Sequence, residues 1–220
     1  MRTDVIRSET LRYLGCGSEI PDEKTLEMVD KAIALLQEKV RPKSVYRIIE
    51  IIPDAKGIKL PEVYRKGEDA RIVSESLGRV MSGCTRMIVF GATLGAEADM
   101  LLKRAAAGNI AMGAVMQAAA AAYIEEYCDT IQGELSEKFR AEGEPLGDRF
   151  SPGYGDFALE YQHVLFGILD CQRRIGLTLS DNCIMIPSKS VTAVIPIGGS
   201  CGRQLGCSCC EKTDCLYRRK

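Results

Sequence analysis

Apolar residues at helical spacing dominate the first forty residues. Residues 1–14 are charged and helix-like, and a second helix is predicted from about Asp22, behind Pro21, to a point before Pro42. Its apolar face consists of residues three or four apart: Leu26, Val29, Ile33, Leu36 and Val40. The pattern therefore predicts that two helices open the chain.

The pattern then changes to β-branched runs, turns and one further helical stripe. In chain order it predicts a strand over 45–52, a turn over 53–57, a return strand from Ile58, a helix over 68–81 and a short buried strand over 87–90. Gly91 is expected to break that last strand, and Thr93 is expected to cap the helix that follows it.

The longest predicted helix covers residues 110–139. Its alanine run, 118–122, indicates close packing against another backbone element. After Gly143 the pattern predicts short elements: a helix over 159–169 and strands over 177–179, 184–186 and 191–197. Helices in the first two-thirds and strands in the last third predict an α+β fold, a helix-rich single domain with a twisted, mainly antiparallel sheet.

Composition narrows the functional classes. The chain has 220 residues, of which 46% are hydrophobic and 27% charged, as in ordinary globular proteins. Twenty-nine basic and thirty acidic residues leave a formal charge of −1, and tryptophan is absent from the sequence. This balance argues against a nucleic-acid partner and against an acidic membrane surface.

The sequence also lacks the patterns of membrane and exported proteins. Its longest apolar stretch, residues 110–124, is too short for a spanning helix, and the charged first 14 residues contain no apolar signal core. We therefore expect a cytoplasmic protein with no membrane partner.

Ten cysteines are distributed unevenly: five are isolated and five crowd into residues 201–215. Reduced cytosolic thiols fit better than a disulfide scaffold, which is normally secreted and shorter. The spacing C-x5-C-x2-C-x4-C of Cys201, Cys207, Cys210 and Cys215 indicates zinc or an iron–sulfur cluster, although it matches neither ferredoxin pattern. A flexible, reduced tail without metal is the alternative.

Two candidate features have ordinary structural explanations. Thr93-Leu94-Gly95 could offer helix N-terminal amides to an anion, but a strand-to-helix turn is the preferred interpretation. His163 is the single histidine, and no Gly-x-Ser-x-Gly elbow accompanies it. Because it stands among apolar helical residues, we expect a partly buried structural histidine.

Two adjacent glutamates follow the alanine run. Glu125 lies eight residues after Gln117, close to the face that the alanines would press against a neighbour, whereas Glu126 is one position further on. A carboxylate at that depth needs a partner. An exposed helical glutamate is the alternative.

The run from Arg149 to Tyr154 is the most distinctive in the chain. Pro152-Gly153 predicts a sharp turn that brings backbone carbonyls close to a ligand. Arg149 supplies a fork for a carboxylate, and Tyr154 supplies a ring with a polar tip. A surface turn with an ion pair is the alternative.

The segments RFSPGYGDFALEYQ and RIGLTLSDNCIMIPSKSVTAVIPIG resemble the reactivation domain of cobalamin-dependent methionine synthase. With the opening RYLGCG, the turn at 93–95 and the long helix, the resemblance covers about residues 5–198. It implies that domain's fold over 1–198, followed by a cysteine-rich tail over 199–220. The motifs that carry it are Arg149, Gly153 and Tyr154, then Ile175, Gly176, Leu179 and Ser180, then Pro187, Ser190 and Val191.

The resemblance implies a stand-alone reactivation subunit. Members of this family bind S-adenosylmethionine and help to return cob(II)alamin to methylcobalamin, with one electron from a flavodoxin-like donor. Binding and orientation of the methyl donor are the domain's contribution. Because no corrinoid module is recognisable here, we expect cobalamin on a partner chain, together with a flavodoxin-like or ferredoxin-like electron donor.

The resemblance also implies the site residues. Arg149 would grip S-adenosylmethionine, and the ring of Tyr154 would face its sulfonium. The ligand's ammonium or sulfonium would meet Glu125, and its donors would meet the carbonyls of Phe150 and Ser151. Where full-length synthases carry an aromatic residue, this chain has Val194 and Ile195, so any contact there would be backbone or aliphatic.

Two alternatives stay open within this interpretation. The partner could be a corrinoid methyltransferase other than methionine synthase. Alternatively, the chain could be a non-catalytic interaction protein bearing iron–sulfur or zinc, with the fold kept and the ligand lost. An iron–sulfur cluster on the four tail cysteines could supply or relay the electron.

Overall fold

A computed structural model describes residues 1–16, 21–65 and 68–198, with side chains described in these ranges except at 62–69. Seven α-helices and eight strands are present in this part of the chain. The helices are α1 (Thr3–Tyr13), α2 (Glu23–Lys39), α3 (Glu75–Val80), α4 (Ala96–Gly108), α5 (Ile110–Ala141), α6 (Gln162–Leu169) and α7 (Cys171–Ile175). The strands are β1 (Lys43–Glu50), β2 (Ile52–Asp54), β3 (Gly57–Arg65), β4 (Glu68–Val73), β5 (Arg86–Thr93), β6 (Thr178–Leu179), β7 (Met185–Ile186) and β8 (Ser190–Ile197).

The centre of the fold is an antiparallel sheet in the order β1-β5-β8. Strand β5 is apolar from Met87 to Ala92 and is covered on both faces, because its side chains alternate between two cores. Two small antiparallel sheets, β2-β3-β4 and β6-β7, complete the strands of the described ranges. The predicted α+β class with a mainly antiparallel sheet is confirmed.

Each face of the central sheet has its own core. On one face, Ile88, Phe90 and Ile195 pack against helices α1, α2, α4 and α5. On the other face, Met87 and Val89 pack with residues of α3, α6, α7 and the small sheet β2-β3-β4. The central sheet therefore separates a layer of long helices from a mixed layer of short elements.

Gly91 does not break β5, contrary to the prediction, but lies inside it, opposite Val45 on β1 and Thr192 on β8. A Cβ at this position would lie 3.1 Å from Leu169 Cδ1 of α6. The glycine therefore permits a close approach of α6 to the sheet.

The helix predicted over 68–81 is wrong in its first half. Residues 68–73 form β4, in which Ile72 pairs with Ile58 of β3. Ser74 then caps α3, and its Oγ accepts a hydrogen bond from Leu77 N at 3.0 Å. Neighbouring β-branched residues suit a strand, and pairing with β3 decides between the two structures.

Helices α4 and α5 are joined by the single residue Asn109 and pack closely against each other. A Cβ on Gly113 of α5 would lie 2.9 Å from Ala106 Cα of α4, so the two backbones meet closely. Asn109 caps α5 by accepting from the amides of Ala111 and Met112. Thr93 is not the cap of α4: it ends β5, and Gly95 holds the N-cap position.

No helix in the described ranges is both long and apolar enough to cross a membrane. The boundary predicted between 198 and 199 coincides with the end of the described residues and stays a prediction.

Candidate functional site

Arg149 lies on a segment that pairs with the outer edge of β8. Phe150 and Val194 exchange two backbone hydrogen bonds, each 2.9 Å long, and Gly147 N donates to Pro196 O at 3.1 Å. This short pairing holds the residues before the Pro152-Gly153 turn beside β8. Arg149 is thereby directed towards the second half of α5.

Three side chains of α5 hold the Arg149 guanidinium. Nη1 donates to Gln132 Oε1 at 2.7 Å, and Nη2 donates to Asp129 Oδ1 at 2.7 Å. Nη2 also donates to Glu125 Oε2 at 3.3 Å. Positions 125, 129 and 132 lie on one face of a helix because they are four and three residues apart.

The acids of this cluster are more exposed than the arginine. The Arg149 side chain is 15% exposed, whereas Glu125 and Asp129 are 38% and 40% exposed. Beneath them lies the Cys128 thiol, whose pKa burial raises to about 12, so that it is neutral at physiological pH. Two carboxylates against one guanidinium leave a half-open surface with one net negative charge.

The way in which Arg149 is held limits how it can take a ligand. Bidentate binding of a carboxylate uses Nη2 together with Nε or Nη1. Asp129 and Glu125 engage both Nη2 hydrogens, and the 3.3 Å contact to Glu125 is the weaker one. A ligand carboxylate could therefore be gripped with two bonds once Glu125 swings away.

Tyr154 presents its ring to solvent on the turn that follows Arg149. The turn is closed by Gly153 N, which donates to Phe157 O at 2.7 Å, and Gly153 has φ 97°, a left-handed conformation suited to glycine. The side chain of Tyr154 is 66% exposed. An aromatic face is thus available close in sequence to the arginine cluster.

Asp156 fixes this turn to helix α3. Its carboxylate accepts from Ser74 Oγ at 2.8 Å, from Glu75 N at 2.7 Å and from Ser76 N at 3.0 Å. The bonds from Ser74 and Ser76 hold the pKa of Asp156 well below its usual range. Sequence analysis did not single out this residue, because its partners are about eighty positions away.

The expected backbone contacts differ in how accessible they are. The Phe150 carbonyl accepts from Val194 N at 2.9 Å, and the Ser151 carbonyl accepts from Tyr154 N at 3.3 Å, so that one lone pair of each is already used. Val194 and Ile195 are fully buried, in opposite cores. The aliphatic contact expected there is therefore not available to a ligand from solvent.

The deeply buried glutamate of α5 is Glu126 and not Glu125. Its side chain is 2% exposed and accepts from Arg2 N at 2.9 Å, Nε at 3.1 Å and Nη2 at 3.1 Å. Burial raises the pKa of Glu126, but the bonds from Arg2 outweigh this effect and the pKa lies below its usual range. Glu125, which was expected close to the face that the alanines press against a neighbour, is 38% exposed.

Sequence analysis missed Asp129 and Gln132 as partners of Arg149. Their spacing from Glu125 was a usable signal, since residues at i, i+4 and i+7 share a helix face. The other candidates had ordinary outcomes: the 93–95 turn joins β5 to α4, and His163 is exposed and not partly buried as expected.

The predicted metal ligands Cys201, Cys207, Cys210 and Cys215 lie outside the described residues. Within those that are described, no group of three or more His, Cys, Asp or Glu side chains is placed to hold a metal ion. The zinc and iron–sulfur hypotheses therefore rest on the sequence alone.

No family model matches the chain, and no curated protein sequence matches it either. Among solved structures, the chain is similar to the crystal structure of the MetH reactivation domain bound to AdoHcy, with a TM-score of 0.65. The two share 13% sequence identity, and the match covers 92% of this chain and 77% of that one. At this identity, the likeness establishes a shared fold.

Proposed function

We propose that the chain binds S-adenosylmethionine beside Arg149 and acts as a stand-alone reactivation subunit for a corrinoid methyltransferase, with methionine synthase as the first candidate. The observation that carries the proposal is the Arg149 cluster, in which two half-exposed carboxylates hold a covered guanidinium, followed five residues later in the chain by the exposed Tyr154. It lies within a fold shared with the MetH reactivation domain, whose crystal structure contains AdoHcy.

The charges of the cluster complement the ligand. S-adenosylmethionine carries an ammonium, a carboxylate and a sulfonium, for a net charge of +1 at neutral pH. The cluster of Arg149, Glu125 and Asp129 carries −1. Opposite net charge favours association and orients the ligand.

An exchange of partners fits the amino-acid end of the ligand. Its carboxylate replaces Glu125 on the Arg149 fork, because that contact is the longer of the two held by Nη2. The released Glu125 then accepts from the ligand's ammonium. The exposed ring of Tyr154 faces the sulfonium or the adenine, and the second lone pairs of the Phe150 and Ser151 carbonyls remain for adenine donors.

The corrinoid and the electron come from other proteins in this proposal. The bound methyl donor supplies the methyl group, and this chain holds it and presents it to a corrinoid carried by a partner. The partner's electron donor is flavodoxin-like or ferredoxin-like. In the same proposal, residues 1–198 are the S-adenosylmethionine-binding domain and 199–220 the cysteine-rich tail.

Calorimetric titration with S-adenosylmethionine tests the site. Glu125→Gln keeps the shape of the side chain and removes its charge, and loss of a charge-assisted contact weakens binding by about 10- to 100-fold. Glu134→Gln is the matched control, since nine residues further along α5 at 100° each place it on the opposite face. No binding to the wild type refutes the function, and equal binding by the two variants refutes the site.

A second titration with AdoHcy tests the role of charge. AdoHcy lacks the sulfonium, so the surplus carboxylate predicts weaker binding of AdoHcy than of S-adenosylmethionine. Addition of the chain to an oxidised corrinoid methyltransferase, with reductant and S-adenosylmethionine, should then restore turnover. Glu125→Gln should restore less turnover than Glu134→Gln at equal concentration.

A further inference from the structure

The chain's single histidine, on α6, lies against a cysteine of the turn between β6 and β7. The Sγ atom of Cys183 lies 3.6 Å from Nε2 of His163, within hydrogen-bond range for sulfur. His163 is the second residue of α6, and its side chain is exposed. Cys183 is half-buried, so both groups are accessible to a small reagent.

The thiol is held towards the imidazole by a tight turn between β6 and β7. Cys183 N donates to Ser180 O at 2.9 Å, and Ser180 N donates to Ile184 O at 3.0 Å. Cys183 has φ 58°, a left-handed backbone conformation that residues other than Gly, Asn and Asp seldom adopt. The strained backbone and its hydrogen bonds thus fix where the sulfur points.

The other described cysteines differ from Cys183. Cys84, Cys128 and Cys171 are buried, and burial raises the pKa of Cys128 and of Cys171 to about 12. Cys16 is half-buried like Cys183, but the sole histidine is not beside it. Cys16 is therefore a natural internal reference for an accessible thiol.

An open depression of about 310 Å³ adjoins the pair. His163 forms part of its wall, together with Phe166 and Gly167 of α6, Thr178 of β6 and Asp170, which lies between α6 and α7. This volume accommodates a small organic group next to the imidazole. A reagent that reacts with Cys183 could place its non-reacting part there.

We propose that Cys183 and His163 form a reactive thiol site that takes small organic disulfides. The Cys183 thiol passes its proton to Nε2 of His163, and the resulting thiolate attacks one sulfur of the disulfide. A new S–S bond forms on Cys183 as the disulfide's own S–S bond breaks. The departing sulfur takes the proton from His163, so that Cys183 is oxidised and half of the reagent is reduced.

The test uses the full chain and 2-hydroxyethyl disulfide, a neutral probe whose reaction is independent of S-adenosylmethionine. Protein is sampled over time at pH 7 and digested, and mass spectrometry reads modification at each cysteine separately. An ordinary thiol is only a few per cent ionised at this pH. Because His163 takes the proton of Cys183 and no histidine lies beside Cys16, we expect Cys183 to react about tenfold faster than Cys16.

His163→Gln keeps a polar side chain but cannot take the proton. In this variant the rate at Cys183 should fall about tenfold, towards that of Cys16, while the Cys16 rate stays unchanged. Loosening of the turn would have the opposite effect, since it would expose Cys183 and raise its rate. The proposal is overturned if Cys183 reacts no faster than Cys16, or if His163→Gln leaves its rate unchanged or raises it. The calorimetric result for S-adenosylmethionine is independent of either outcome.

Discussion

Replacement of Arg149 by methionine should cost both stability and ligand binding. Met keeps an unbranched apolar stem of similar length but removes the guanidinium. Three hydrogen bonds disappear, to Gln132, Asp129 and Glu125, and two carboxylates on one helix face lose the cation between them. The structure thus predicts that Arg149 supports the fold as well as the proposed site.

The size of the stability loss follows from the exposure of the partners. Hydrogen bonds to charged groups contribute roughly 1.5–3 kcal/mol each where they are protected from water. Glu125 and Asp129 are 38% and 40% exposed, so water replaces much of what they lose and screens their repulsion. We expect a total loss of about 2–3 kcal/mol, which for a domain of this size corresponds to about 4–12 °C in Tm.

Scanning calorimetry or urea unfolding measures this loss. Arg140→Met is the control, since the Arg140 side chain is exposed near the end of α5 and its loss should stay within about 0.5 kcal/mol. In a Glu125→Gln/Asp129→Asn background, Arg149→Met should cost less, because the stranded acids are gone. A Tm equal to that of Arg140→Met, or an undiminished cost in that background, would refute the reasoning.

Three further predictions concern stability and thiol chemistry. Because the pKa of Asp156 is lower in the folded than in the unfolded protein, its ionised carboxylate stabilises the fold above the unfolded pKa of about 4. This stabilisation is lost as the pH falls through the folded pKa. The urea midpoint of Asp156→Asn should therefore depend less on pH below about 4 than that of the wild type. Gly133→Ala should stabilise α5 by about 0.5–1 kcal/mol, since nothing lies within 4 Å of the new Cβ. Gly113→Ala should show no such gain, because its new Cβ would collide with Ala106 of α4. Thermal unfolding of the two variants measures the difference. Cys128 should resist alkylation at pH 8 until denaturant is added, as site-resolved mass spectrometry will show; labelling in the native protein would contradict its burial.

The sequence predicted elements whose signal is local and long. The helix predicted over 110–139 is α5, Ile110–Ala141, and the strand predicted over 191–197 is β8, Ser190–Ile197. The helical spacing of apolar residues gave the wrong prediction at 68–73, where pairing with β3 makes the segment a strand. The prediction that Gly91 breaks β5 was wrong for a similar reason, since the glycine is needed for the close approach of Leu169 on α6.

For the candidate site, the sequence indicated individual residues but not which of them are in contact. The sequence singled out Arg149 by its motif and Glu125 as a separate ligand-facing residue, but it did not predict that these two side chains are in contact. Arg2 and Glu126 are 124 residues apart, and no local pattern pairs them. Pairs of this kind arise from the docking of whole helices, which a single sequence does not specify by spacing.

Asp156 links the turn that carries Tyr154 to the beginning of helix α3. Its carboxylate is bonded to three consecutive residues, 74–76, where the small sheet β2-β3-β4 passes into α3, and it stands two residues after Tyr154. The Tyr161 hydroxyl, which accepts a hydrogen bond from Val73 N at 2.9 Å, is a second link between this part of the chain and the small sheet. Because the bonds of Asp156 fix the turn at 151–157 to the start of α3, Tyr154 is positioned by residues about eighty positions earlier in the chain as well as by its own turn.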